Sequence, residues 1–351
     1  MATVFVGTYT QRLDHVNGRG TGIYTYSFHD GVLRPENAFR GLPSPSYLAV
    51  DAARQRIYAT SETLEFDGSP QGALQAWGWD TSPTILEPLG HIGTQGGAPC
   101  YVSINENHLL AANYVGGSVT AVKLSDHGGL EQIARHVQHT GSGPNQARQE
   151  APHPHAIVPD PTGKYCLVPD LGTDQVYVYH TDNGSLKIAG DPLTIHPGAG
   201  PRHLVFHPSG TTVYLLNELD SSISILSWKD GHLDVLNTVD ALPREYTGER
   251  SGADIHVHPT GRFLYASLRG PSSIVCFHIS GDGGLSSPAW FSTHGTTPRN
   301  FALDPSGEHL IAANQDSDTL VAFRIDQETG HLAGPSQIVH VPSPACVKII
   351  H

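Results

Sequence analysis

GPRHLVFHPSGTTVYLLNEL (200–219) reads as one unit: a loop closing on proline, a short apolar strand, a Pro-Ser-Gly turn, and a second, nearly continuous apolar strand. The unit recurs along the chain. Its first strands are PSYLAVD (45–51), PCYVSIN (99–105), PHAIVPD (154–160), PRHLVFH (201–207), ADIHVHP (253–259) and PRNFALD (298–304). A last copy, PACVKII (344–350), finds its continuation at the other end of the chain, in VFVGTY (4–9) and GIYTYSF (22–28). A repeat of 45–55 residues that closes end on end means a ring. Seven four-stranded antiparallel units in a ring make an all-β, seven-bladed β-propeller whose first and last strands share one blade.

The punctuation supports this reading. First strands end in DPTG (160–163), HPSG (207–210), HPTG (258–261) and DPSG (304–307), where proline pre-sets φ and glycine supplies a positive φ. Second strands such as LLAANY (109–114), VYLLNE (213–218) and LIAANQ (310–315) are almost wholly apolar, as strands buried between blades must be. Third strands such as SVTAVKL (118–124) and SIVCFHI (273–279) follow after a short polar connection, and a more variable fourth strand completes each unit. No unit can bury its own faces, so residues 1–351 are expected to form a single domain.

Composition sets further bounds. Gly 38 and Pro 26 fit many tight turns, and charged residues at 15% fit a compact body. A formal net charge of −13 without a lysine-rich run argues against nucleic-acid or anionic-membrane partners. Fifteen of the 20 basic residues are arginine, the type suited to carboxylate and phosphate. The N-terminus MATVFVGTYTQRLD has neither a basic start nor a long apolar run, so no signal peptide is read there. No stretch approaches the ~20 apolar residues of a membrane span. Cys100, Cys166, Cys276 and Cys346 lie in four different repeats without CxxC spacing and are expected as buried free thiols. A cytoplasmic protein, monomeric or weakly dimeric, is expected.

Strand direction then locates the function. A first strand, a tight hairpin and a second strand bring the start of one and the end of the other to the same face, here called upper. The long loops 10–21, 62–72, 139–152 and 240–252 all fall on that face, and loops of such length in a compact domain usually carry function. Residues beginning the first strands are Ser46, Cys100, His155, Arg202, Asp254, Arg299 and Ala345. Those ending the second strands are Glu62, Tyr114, Leu171, Glu218, Arg269, Gln315 and Tyr9, preceded by residues that include Asp170, Asn217 and Asn314. Propeller channels also hold polar side chains that merely satisfy one another. Three arginines (Arg202, Arg269, Arg299) against one glutamate (Glu218) exceed that, because a surplus buried cation is costly unless an anion completes it.

Other chemistries find less support. His153 and His155, like His256 and His258, are spaced i, i+2, but no third ligand of fixed spacing supports zinc, and no metal or cofactor is expected. His207 and His258 occupy the turn position of Asp160 and Asp304 on the opposite face. Neither a GxSxG elbow nor a Walker or GxGxxG loop occurs in a strand-to-helix context.

The phrases PHPHAIVPDPTGKYCLVPDLGTDQVYVY (152–179), GPRHLVFHPSGTTVYLLNEL (200–219), ADIHVHPTGRFLYASLRG (253–270) and GTTPRNFALDPSGEHLIAANQDSDTLVAFRID (295–326) resemble the seven-bladed propeller lactonases. That family includes propeller-type 6-phosphogluconolactonases and carboxy-cis,cis-muconate cyclases. The resemblance spans the whole chain and implies a site of one histidine, two arginines and one glutamate, matched here by His155, Arg202, Arg269 and Glu218. Leu268 stands where relatives often carry Asn before Arg-Gly. The resemblance therefore implies hydrolysis of a sugar-phosphate lactone such as 6-phospho-D-glucono-1,5-lactone. In that scheme His155 or Glu218 activates water, while Arg202 and Arg269 hold the anion or the developing oxyanion. His153, His203, Arg299, Asn314, Gln315 and Asp170 are the candidate substrate-binding residues. The same four central groups would also serve a lactone-forming cyclase. A non-catalytic binding propeller would instead show an apolar upper face.

Overall fold

A computed structural model describes residues 2–351. Seven antiparallel sheets follow one another in sequence order. Blade 1 is composite: from the channel outward it runs Pro344–Ile350, Ala2–Thr8, Ile23–His29 and Val32–Phe39. Blades 2 to 7 begin at the inner strands Leu48–Asp51, Pro99–Asn105, Val158–Pro159, Pro201–Phe206, Gly252–Val257 and Pro298–Leu303. Inner strands of adjacent blades lie against one another, and the C-terminal strand touches the inner strands of both blade 7 and blade 2. Residues 344–350 thus close the ring as the split repeat predicts.

The sequence pattern explains the layers. Second strands such as His309–Asn314 are buried along their whole length, because both faces of each blade are covered by neighbours. Phe5, Trp77 and Trp79 pack between blades 1 and 2, and Val4, Val6, Ile311 and Ala313 pack between blades 1 and 7. Fourth strands such as His232–Asp240 face solvent on most residues. At the lower face the turn glycines 163, 210, 261 and 307 take φ of +70° to +74°, as the Pro-x-Gly turns require.

Two recurrent side-chain bonds tie the repeat together. Tyr58, Tyr214 and Tyr265 each donate their hydroxyl to a glycine carbonyl of the following blade, at 2.9, 2.9 and 2.7 Å. At the upper end, Asn113 and Asn217 donate their amides to the Ser or Thr hydroxyls that open the third strand of the same blade. Asn314 does the same toward Thr319 and also reaches the Thr293 carbonyl at 3.0 Å.

One backbone irregularity decides which side chains reach the channel. Where the inner strands of blades 1, 3, 5, 6 and 7 start, pairing with the second strand skips a residue. Pro99 faces Asn113 but Tyr101 faces Ala112; Pro201 faces Asn217 but His203 faces Leu216; Pro298 faces Asn314 but Asn300 faces Ala313. The skipped residues are Cys100, Arg202 and Arg299, with Ala253 and Asp254 skipped in blade 6 and Ala345 in blade 1. A bulge re-aims its unpaired side chain and ends the ladder locally, so these positions turn toward the ring axis.

Blade 4 departs from the pattern. Its inner strand is only Val158–Pro159, with Pro154 bridged to Asp170 above it, and its outer strand is split into Lys187–Ile188 and Leu193–Thr194. Loop 10–21, read from sequence as a long upper-face connection, carries a small ladder of Arg12–Leu13 on Val16–Asn17, packed over Tyr9 and Ala345.

Candidate active site

The bulge residues Cys100, Arg202 and Arg299 meet Ser46, Glu62 and His155 in a throat of the channel. Its free volume, about 10 Å³, is that of one water molecule. Above it opens a cleft of about 460 Å³ between loop 240–252 and blades 6 and 7, walled by Tyr246, Ser251, Arg269, Thr297, Arg299 and Gln315. Below it lies a chamber of about 310 Å³ that includes Tyr47, Tyr101, His203, Asp254 and Lys348.

Glu218 is the hub. It ends the second strand of blade 5 and is 2% exposed. Its Oε2 accepts from Arg202 Nε at 2.8 Å and lies 2.9 Å from Arg269 Nη2, while Oε1 accepts from Arg148 Nη2 at 2.5 Å. Burial alone would raise its pKa. Arg269, Arg202 and Arg148 outweigh that and hold the carboxyl well below the usual carboxylate range. Arg202, 1% exposed, also donates to the Ala253 carbonyl, and burial pulls its pKa down to about 10 against the pull of Glu218.

His155 stands beside this cage with Nε2 3.8 Å from Glu218 Oε2, too far for a hydrogen bond, and Nδ1 3.6 Å from Cys100 Sγ. Burial and then Arg202 hold its pKa well below that of free imidazole, so it is neutral at physiological pH. Arg299 lines both cleft and throat, with its guanidinium 5.2 Å above the Tyr9 ring, and among the described residues it has no hydrogen-bonded or ion-pair partner. Two more polar atoms at the cleft wall are buried and unpartnered: Arg269 Nε, a donor, and Gln315 Oε1, an acceptor.

The structure brings His155, Arg202, Glu218 and Arg269 together, with Arg299 and Gln315 at the cleft. Three other candidates are placed elsewhere. Asp170 is fully buried, accepting from the backbone of His153 and Gly172 and lying 2.7 Å from His139 Nδ1. Asn314 is spent on the third-strand bond described above. His153 donates Nδ1 to the Tyr114 carbonyl, with Nε2 3.1 Å from Glu150, so it anchors loop 139–152. All three sit beside the mouth in sequence, but strand alternation turns Asp170 and Asn314 between blades, and His153, which precedes the strand, is held by Tyr114 and Glu150. His203 lies one layer down, with Nδ1 2.8 Å from Asp254 Oδ1, and burial followed by Arg202 lowers its pKa to about 4. It therefore supports Arg202 from beneath.

Two groups escape sequence reasoning. Arg148 enters from loop 139–152, where no strand register assigns direction. Glu62 stands at the same register as Glu218 yet went unassigned; it is 5% exposed and accepts from Tyr9 Oη at 2.9 Å and from Ser46 Oγ. The mouth thus holds four guanidiniums and two carboxylates, and the cationic surplus read from sequence stands with different bookkeeping. Among the described residues, no group of three or more His, Cys, Asp or Glu side chains could hold a metal.

The model of the family described as Lactonase, 7-bladed beta-propeller matches residues 3–349. A 6-phosphogluconolactonase of Bacillus subtilis is 34% identical over 99% of this chain and 98% of its own. Another, from Formosa agariphila, is 32% identical over 94% of each. Among solved structures, the periplasmic gluconolactonase of Pseudomonas aeruginosa superposes with a TM-score of 0.91 at 29% identity, covering 100% of this chain and 99% of that one. A protein from Lactobacillus plantarum gives 0.90 at 31%, covering 100% of both. With the composite blade, the bulged strand starts and the His-Arg-Glu-Arg cluster in place, the chain belongs to the seven-bladed β-propeller lactonase family.

Proposed function

We propose that this protein hydrolyses a sugar-phosphate lactone, 6-phospho-D-glucono-1,5-lactone, to the open-chain 6-phosphogluconate. The observation that carries the reading is the pairing, on one cleft wall, of an unpartnered cation with unpartnered donor and acceptor atoms. Arg299 lacks an anion, Arg269 Nε lacks an acceptor, and Gln315 Oε1 lacks a donor. A phosphate satisfies the first two and a sugar hydroxyl the third, and each of the two buried atoms, Arg269 Nε and Gln315 Oε1, costs about 1–3 kcal/mol while unpaired. Relatives named 6-phosphogluconolactonase support the same substrate.

With the phosphate in the cleft, the lactone carbonyl is directed at the throat. Neutral His155 has an imidazole nitrogen free to hold the attacking water there. Arg202 supplies positive field where the carbonyl oxygen gains charge. Glu218, its oxygens occupied by arginines, fixes Arg202 and Arg269 rather than taking a proton. δ-Lactones open spontaneously in water, so this set needs no covalent nucleophile.

The test is hydrolysis of freshly prepared 6-phosphoglucono-δ-lactone measured against its spontaneous rate, with carboxymuconate offered in parallel. Acceleration of the first, abolished by His155→Ala and Arg202→Ala, supports the reading. No acceleration, acceleration intact in both variants, or lactone closure from carboxymuconate alone overturns it.

A further inference from the structure

The throat carries two carboxylates with opposite surroundings. Glu218 has both oxygens taken by guanidiniums, so it keeps its charge and has no oxygen free of a cation to receive a proton. Glu62 is bonded only by hydroxyls. Tyr9 Oη and Ser46 Oγ both donate to Oε2, while Oε1 accepts no hydrogen bond and lies 3.8 Å from His15 Nε2. A carboxylate has about four lone-pair positions, so Glu62 is a buried acid with one oxygen still open. It lines the same one-water throat as His155.

We propose that Glu62 is the general base of the reaction, a role that rests on the lactone-hydrolysis reading above. Glu62 Oε1 takes a proton from the throat water as that water's oxygen bonds to the lactone carbonyl carbon. The carbonyl π electrons move onto the carbonyl oxygen, near Arg202. As they return, the bond from that carbon to the ring oxygen breaks, and Glu62 gives the proton to the ring oxygen. One water is added across one C–O bond, and the new carboxylic acid ionises to solvent. His155 positions the water, while Tyr9 and Ser46 hold Oε2 so that Oε1 faces it.

The groups around Glu62 fit this role. From blade 1 come Tyr9 and, on loop 10–21, His15; Arg299 faces it from blade 7 and Cys100 from blade 3. Burial raises the Tyr9 phenol well above its ordinary value, and Glu62 adds to this, so Tyr9 remains a proton donor to Oε2. Burial and Glu62 likewise keep Cys100 a thiol. Burial and Arg299 lower His15 to about 4, against the pull of Glu62, so at neutral pH it is no fixed cation for Glu62 to pair with.

The experiment compares Glu62→Gln with wild type on 6-phosphoglucono-δ-lactone across pH. The expected result is a fall in kcat of ~10²–10⁴-fold, as for a lost general base, with KM nearly unchanged and the acidic limb of the kcat–pH profile gone. Tyr9→Phe, which leaves the carboxylate but removes a donor to its charged form, should move that limb to higher pH. Glu62→Gln keeping kcat within tenfold, or losing rate while keeping the acidic limb, overturns the assignment. So does a limb unmoved in Tyr9→Phe, which also serves if Glu62→Gln does not fold. A wild type that accelerates no lactone defeats the hydrolase reading itself, which separates that failure from this one.

Discussion

Arg202 Nε lies 2.8 Å from Glu218 Oε2, with both side chains all but sealed from solvent. A buried ion pair of this kind contributes little over a well-packed apolar pair, but removing one partner strands the other. Glu218→Gln is therefore expected to cost about 3–5 kcal/mol of stability as well as activity. Denaturant unfolding of the variant checks this; a loss under about 1 kcal/mol would show that the arginines re-pair elsewhere.

Arg299 is the converse case, a cation at the mouth with no protein partner. Arg299→Met should raise KM for the phosphorylated lactone by about 10–150-fold, the worth of one charge-assisted contact. Its kcat should change little and its melting temperature should not fall. Equal losses in kcat and kcat/KM would place Arg299 on the transition state instead.

Gln315 buries an acceptor that nothing in the protein meets. Gln315→Leu should leave stability equal or higher and weaken binding of 6-phosphogluconate roughly tenfold, about the worth of one hydrogen bond. Titration calorimetry with that product, alongside thermal melting, reads both halves. Unchanged affinity would remove Gln315 from the site.

His203 sets an acid limit on stability. Its pKa is lowered on folding to about 4, so protons favour the unfolded chain. The stability that depends on its neutral form is complete above the unfolded value of ~6.5 and is lost as pH falls toward 4. The loss should be of order 3 kcal/mol by pH 4, with His155 acting in the same direction. His203→Gln should narrow the difference in melting temperature between pH 7 and pH 5, and an unchanged difference would contradict this.

Ring closure rests on the last strand. Removing residues 342–351 exposes the edge of Ala2–Thr8 and uncovers the inner strands of blades 2 and 7. The truncated chain is expected to lose cooperative unfolding or to aggregate through that edge. Scattering and calorimetry distinguish either outcome from a ring that stays closed.

The fold was legible because the repeat is written in residues whose roles are local: Pro-x-Gly turns, apolar second strands, a split first unit. The site was legible in part. Arg202 and Arg299 could be placed because they share one register position at the start of the first strands, where the structure has a bulge, and Glu218 because it closes the second-strand phrase. The same register argument misplaced Asp170 and Asn314. One residue before the strand end, the side chain points to the opposite face of the blade, into backbone amides for Asp170 and a third-strand hydroxyl for Asn314. Arg148 reaches Glu218 from a loop, where direction depends on tertiary contacts that no period encodes. Glu62 was visible in register, but the contrast between its hydroxyl shell and the guanidinium shell of Glu218 exists only in three dimensions.

The composite blade also bears on how the molecule comes into being. Thr3 pairs with Ile350 on one side and with Ser27 on the other. During synthesis the strand Ala2–Thr8 can join its outer partners early, yet its inner edge stays open until residues 344–350 are made. Contacts of such sequence separation form late and slowly. For nearly the whole length of translation the protein is thus an open arc with two adhesive edges, and its throat, which needs Ser46 of blade 2 and Ala345 of the closing strand in one circle, assembles last.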